Sequence, residues 1–157
     1  MPSNERPNQV ASGVPTRPYL LERVDDAAVV QLYADGFAAL PLDQKTLVWH
    51  LYEAALAGRD IYVDQRYVHN LAMRDFLEAV VLHADGLPPD VASEFWRYTK
   101  LFWINSGPFN NLTARKFVLK LSEAALVAAA EAVAAAGARF RTAQGESPAD
   151  LARRLAP

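Results

Sequence analysis

The residues of this chain best suited to chemistry are side-chain amides. Asn105, Asn110 and Asn111 lie close together, with Phe109 between them and the cations Arg115 and Lys116 just beyond. A carboxamide both donates and accepts hydrogen bonds, which suits it to a peptide backbone, and Phe109 offers an apolar contact. Ser106-Gly107-Pro108 interrupts the group. Gly takes a left-handed conformation without strain and Pro blocks continuation, so a helix is expected to end here and give way to a polar turn. The same residues also suit a capped interhelical loop whose amides bond only to their own backbone.

A second constellation, Arg59, Asp60, Asp64 and Arg66 interleaved with Tyr62 and Tyr67, places two carboxylates four residues apart. That spacing can serve acid–base work, but the interspersed guanidinium groups favour a salt-bridged turn. His50, His69 and His83 are too widely spaced for two rings to share one turn of helix as metal ligands. His50 and Glu53 can share a face at i, i+3, and two ligands alone favour a structural hydrogen-bonded pair over a metal site. A di-metal helical bundle needs a set of Glu-x-x-His pairs that is missing, as are a glycine-rich phosphate loop and a nucleophile elbow.

These groups need a scaffold, and composition bounds it. With 157 residues, 52% of them hydrophobic, the chain suffices for one domain with a substantial core. A net charge of −2 leaves no electrostatic footprint for nucleic acid or an anionic membrane, so neither is an expected partner. The absence of cysteine excludes disulfides, a thiol nucleophile and iron–sulfur ligation. Residues 1–18, with Pro2, Pro7, Pro15 and Pro18, read as a disordered lead-in without the apolar core of a signal peptide. The default compartment is therefore the cytoplasm, or the periplasm if a leader has been removed. No apolar run approaches the roughly 18 to 20 residues of a membrane span.

Residues 19–157 are expected to form a single, mainly α domain of five or six helices with little or no sheet. The first helix starts at Asp25 as N-cap, carries Val29, Leu32, Tyr33, Phe37 and Leu40 at spacings of three and four, and ends at Pro41. The second runs from about Asp43 to Ala57 and stops at Gly58. It is apolar nearly all round, which predicts a buried central helix with Trp49 among the most buried residues. A third over Val68 to His83 turns Phe76, Leu77, Val80 and Val81 inward. A fourth over Asp90 to Asn105 carries more aromatic surface than one face can bury. A fifth, alanine-rich, begins near Ser122 and ends at Gly137. Arg139-Phe140-Arg141 is expected to be extended, and Ser147-Pro148-Ala149-Asp150 signals the start of a last helix.

Two segments, Val48 to Tyr67 and Leu101 to Val118, resemble the amino-terminal part of bacterial dipeptidyl peptidase III proteins, a family of zinc exopeptidases. The likeness runs from about Tyr19 to the end of the chain and is tightest at Gly58 to Asn70 and Phe102 to Lys120. More distant members keep residues corresponding to Asn105, Gly107, Phe109, Lys116 and Phe117. The resemblance implies a two-lobed enzyme that removes dipeptides from the amino end of oligopeptides, with zinc on the lobe opposite this segment. Family members are several times longer, and their His-Glu-x-x-Gly-His zinc helix is missing here. The chain is thus expected to be a non-catalytic amino-terminal fragment, with no catalytic residues and no bound cofactor. Zinc is expected in the full-length member, and the partners would be the rest of the peptidase and an oligopeptide. Asn105, Phe109, Asn110 and Asn111 are the candidate substrate-binding residues. The alternative is a stand-alone helical interaction module that binds through the aromatic face of the fourth helix.

Overall fold

The computed structural model describes residues 17–143 and 145–156, and over these the protein is mainly helical, with five α-helices and a small two-stranded hairpin. The lead-in expected over residues 1–18 falls, except for Arg17 and Pro18, outside the described residues. The chain divides into two compact units with the boundary between Ala34 and Asp35.

The first unit contains the antiparallel strands β1 (Leu20–Val24) and β2 (Ala27–Val30). Val24 pairs with Ala27 across the two-residue turn Asp25-Asp26, where Asp25 adopts φ 52°. Asp is among the few non-glycine residues that tolerate the left-handed region. Tyr33 packs edge-on against Tyr19 at 5.4 Å and donates its hydroxyl hydrogen to the Pro18 carbonyl at 2.9 Å. This hairpin replaces the helix expected from Asp25. The threefold and fourfold spacing of Val29, Leu32 and Tyr33 fits a helix, but β-branched residues on both sides of a turn pair equally well across strands. Phe37 belongs to a separate short 3-10 helix, Asp35–Ala39.

The second unit opens with α1 (Leu42–Arg66), which passes straight through Gly58. Gly58 does not take a positive φ, so it does not act as a helix stop. Its propensity cost of about 1 kcal/mol is offset by contacts beyond it. Val63 is buried, and Asp60 pairs with Arg74 on the next helix at 2.7 Å. The remainder of α1 is not the buried centre expected from its pattern. Trp49 is 59% exposed, and Leu47, Val48, Leu51, Tyr52 and Leu56 are exposed with it. An all-round apolar helix needs cover on every side, and the other helices of this unit cover only its carboxyl-terminal end.

The core lies among α2 (Asn70–Leu82), α3 (Pro89–Asn105), α4 (Glu123–Ala135) and α5 (Pro148–Leu155). Phe76, Leu77 and Val80 of α2 meet Phe95, Tyr98 and Phe102 of α3. Leu126, Ala130 and Val133 of α4 and Leu151 and Leu155 of α5 close the cluster. The small side chains of α4 let it pack closely on α5. Caps fix the ends as the sequence predicts: Ser122 Oγ accepts from the Ala125 N–H, and Ser147 with Asp150 forms a capping box. Phe140 stacks on Phe76 at 5.4 Å and seals one side of the core.

Glu94 ties the chain after α3 back onto that helix. Its carboxylate takes two hydrogen bonds from Arg97, both at 2.7 Å, and one from the Lys120 backbone N–H at 2.6 Å. Arg97 also donates to the Val118 carbonyl at 3.0 Å. Burial pushes the Glu94 carboxyl up, but the bonds from Arg97 and Lys120 outweigh it and hold the group below its ordinary range.

Candidate functional site

The turn after α3 is built from the helix end outward. Ser106 takes the left-handed conformation (φ 51°), followed by Gly107 at φ 149°, and the Gly107 N–H bonds the Phe102 carbonyl at 3.0 Å. The helix thus stops where Ser106-Gly107-Pro108 predicts. Pro108 is fully buried, and its carbonyl accepts from the Phe117 N–H at 2.7 Å. Phe109 and Lys116 form an antiparallel bridge, so residues 110–115 make a loop on a two-strand base. The Asn110 N–H closes this loop on the Arg115 carbonyl at 2.9 Å.

The four candidate residues are brought together on this turn, but in unequal states. Asn105 is only 6% exposed and both ends of its amide are engaged, donating to the Leu101 carbonyl at 2.9 Å and accepting from the Asn111 N–H at 3.0 Å. The Asn110 side-chain oxygen accepts from the N–H groups of Leu112 and Thr113, both at 2.9 Å. The Asn111 side chain is exposed, whereas Asn110 is half-buried with its oxygen engaged. Phe109 is half-buried and meets Tyr67 edge-on at 5.7 Å. Arg115 and Lys116 are exposed beside them, whereas Phe117 packs against the core. A surface of this kind offers neutral hydrogen bonds and flanking positive charge.

The cluster at residues 59–66 lies on the last turns of α1, where a turn was expected. Asp60 reaches Arg74 at 2.7 Å and Arg59 at 3.4 Å, and these ion pairs, the Arg74 hydrogen bond foremost, hold its carboxyl below the ordinary range. Arg66 bonds the Tyr62 hydroxyl at 2.8 Å. Asp60 is thus a pairing residue held ionised, the reverse of a proton donor at neutral pH.

Sequence reasoning missed a groove of about 370 Å³ between α1, α2 and α3, lined by Arg59, Val63, Arg74, Glu78, Trp103 and Ser106. The Trp103 indole N–H donates to Glu78 at 2.9 Å and fixes that carboxylate on the groove wall. Glu78 and Trp103 stand 25 residues apart on different helices, and no local spacing signals their meeting. Ser106 links the groove to the amide-bearing turn.

Among the described residues no group of three His, Cys, Asp or Glu side chains is placed to hold a metal ion. His50 and Glu53 both lie exposed on α1. No helix among the described residues is long and apolar enough to cross a membrane. No protein-family model matches the chain, and no curated protein matches it in sequence.

Proposed function

We propose that this chain is the amino-terminal, non-catalytic portion of a dipeptidyl peptidase III-like zinc exopeptidase, and that its turn at residues 105–111 helps hold an oligopeptide. The observation that carries this reading is the meeting of the two segments with the tightest resemblance, Gly58 to Asn70 and Phe102 to Lys120. They are joined directly: the Asn70 side-chain nitrogen donates to the carbonyls of Val63 and Ser106 at 2.8 and 3.1 Å. The likeness thus falls on one connected piece of structure that ends in the half-buried Asn110 and the exposed Asn111. Support also comes from α1, whose exposed Leu47, Trp49, Leu51, Tyr52 and Ile61 call for further protein around them.

In this reading Asn111 and the amide nitrogen of Asn110 hydrogen-bond the peptide backbone, Phe109 supplies an apolar contact, and Asn105 braces the loop from below. The chain's contribution is to position the substrate, and bond cleavage belongs to a zinc-bearing segment that it lacks. The compartment assigned by default is the cytoplasm. The test is genetic and enzymatic. The reading frame past Pro157 should run into a His-Glu-x-x-Gly-His segment, and the extended protein should release dipeptides from a chromogenic dipeptide substrate while the 157-residue chain does not. A frame that closes without that segment overturns the proposal.

A stand-alone interaction module is favoured by one observation of its own. Trp96 and Trp103 of α3 are 39% and 45% exposed and pack against each other at 6.4 Å, with Lys100 over the Trp96 ring. An exposed aromatic pair beside a cation suits a protein partner. A closed reading frame with a partner lost on Trp96→Ala would establish this second reading.

A further inference from the structure

Asn70, the first residue of α2, has no solvent exposure. Its amide nitrogen carries two hydrogens and meets two carbonyls, one on the last turns of α1 and the other on the left-handed residue that ends α3. Gly107 closes over the same amide: a Cβ there would lie 2.8 Å from the Asn70 nitrogen and 3.0 Å from its oxygen. The Asn70 oxygen, by contrast, is buried without a hydrogen-bond partner. An orphaned buried acceptor is unfavourable, so an apolar side chain of similar size would serve simple packing better. The gain from Asn lies in its two donations, and these fix backbone direction.

From Ser106 the path to Asn110 and Asn111 has little freedom. Its carbonyl is held by Asn70, Gly107 abuts the Asn70 amide, Pro108 is buried, and Phe109 is bridged to Lys116. On the far side, Asn105 captures the Asn111 N–H. We propose that Asn70 is a positioning residue for peptide binding: by donating to the Val63 and Ser106 carbonyls beneath Gly107, it sets the direction in which the chain leaves α3 and so holds Asn110 and Asn111 in place. This inference rests on the peptide-holding function proposed above, and the two are separable by experiment.

The test uses the full 157-residue chain, labelled with nitrogen-15. Asn70→Asp keeps the shape and removes at least one of the two donations, and Gly107→Ala perturbs the same contact from the other side if the first variant folds poorly. Val80→Ala, a core truncation on α2 away from the turn, is the control. Either test variant should speed hydrogen exchange at the Gly107 and Asn111 amides at least tenfold beyond the control. Rates that rise no more than in Val80→Ala would reduce Asn70 to an ordinary core group. Titration with tetra-alanine reads the other half. The side-chain amide resonances of Asn110 and Asn111 should shift in the parent chain, with affinity at least fivefold weaker in Asn70→Asp. No shift in the parent overturns peptide holding, and with it the positioning role, even where exchange shows that Asn70 orders the turn. A parent shift with unchanged affinity in Asn70→Asp overturns the positioning role alone.

Discussion

Replacing Glu94 by Gln should cost the helical unit about 2 to 3 kcal/mol at pH 7, and the cost should fade in acid. The carboxylate is 12% exposed and receives three hydrogen bonds, two from Arg97 and one from the Lys120 backbone. Hydrogen bonds to a charged group contribute about 1.5 to 3 kcal/mol each before neighbours share the effect. Breaking a fully buried pair costs about 3 to 5 kcal/mol, and an exposed pair under about 1. Glu94 and Arg97, at 12% and 19% exposure, lie nearer the buried case. Gln preserves the shape and one acceptor oxygen, but it turns an amide nitrogen towards Arg97 and removes the charge. Because the Glu94 pKa is lowered in the folded state, its contribution is fully present above the unfolded value of about 4.3 and is lost as pH falls through the folded value. Urea unfolding of parent and variant at pH 7 should therefore differ by about 1 to 2 M in midpoint, and near pH 3 the difference should shrink by more than half. Subtracting the variant cancels the other carboxylates. A difference that stays constant from pH 7 to pH 3, or that is under about 0.5 kcal/mol at pH 7, would refute the claim that an ionised Glu94 pins residues 118–120 to α3.

Phe95, with no exposure at the centre of the core, should cost about 3 to 5 kcal/mol on Phe95→Ala, and a loss below about 1.5 in chemical denaturation would place the core elsewhere. Trp49→Ala should cost less than about 1 kcal/mol, because the side chain is 59% exposed, and a loss of 3 or more would mean that α1 is covered in solution. Asn110→Ala should lower stability by about 1 kcal/mol in thermal melts, since its oxygen accepts two backbone hydrogens. Asn111→Ala should leave the melting temperature unchanged while weakening the binding of tetra-alanine by the chain, and the opposite pattern would reduce the turn to scaffold.

Helices α2 to α5 were legible because their signals are local. Ser122 and Ser147 as caps, and Gly107 after the end of α3, act through their own backbone angles and hydrogen bonds within a few residues. The gathering of Asn105, Phe109, Asn110 and Asn111 on one turn was legible for the same reason, since they are neighbours in sequence. The hairpin was not, because Val24 and Ala27 are strand residues only through each other, and a short run of Val, Leu and Tyr satisfies either period.

Burial was the other quantity that the tertiary structure alone decided. The all-round apolar pattern of α1 states a need for cover, but whether cover exists depends on what packs around it, and Trp49 is left exposed. Conversely Asn70 and Asn105, polar by type, are buried: carbonyls from two other elements converge on the Asn70 amide, and Asn105 is held between the Leu101 carbonyl of its own helix and the Asn111 N–H. Residue type and spacing thus determined α2 to α5 and where they stop, but neither the fate of residues 25–40 nor the length of α1. Which amides brace the turn and which face solvent follows from contacts such as that of Asn70 with Ser106, 36 residues apart, because a hydrogen bond depends on where two atoms meet and not on how far apart they lie along the chain.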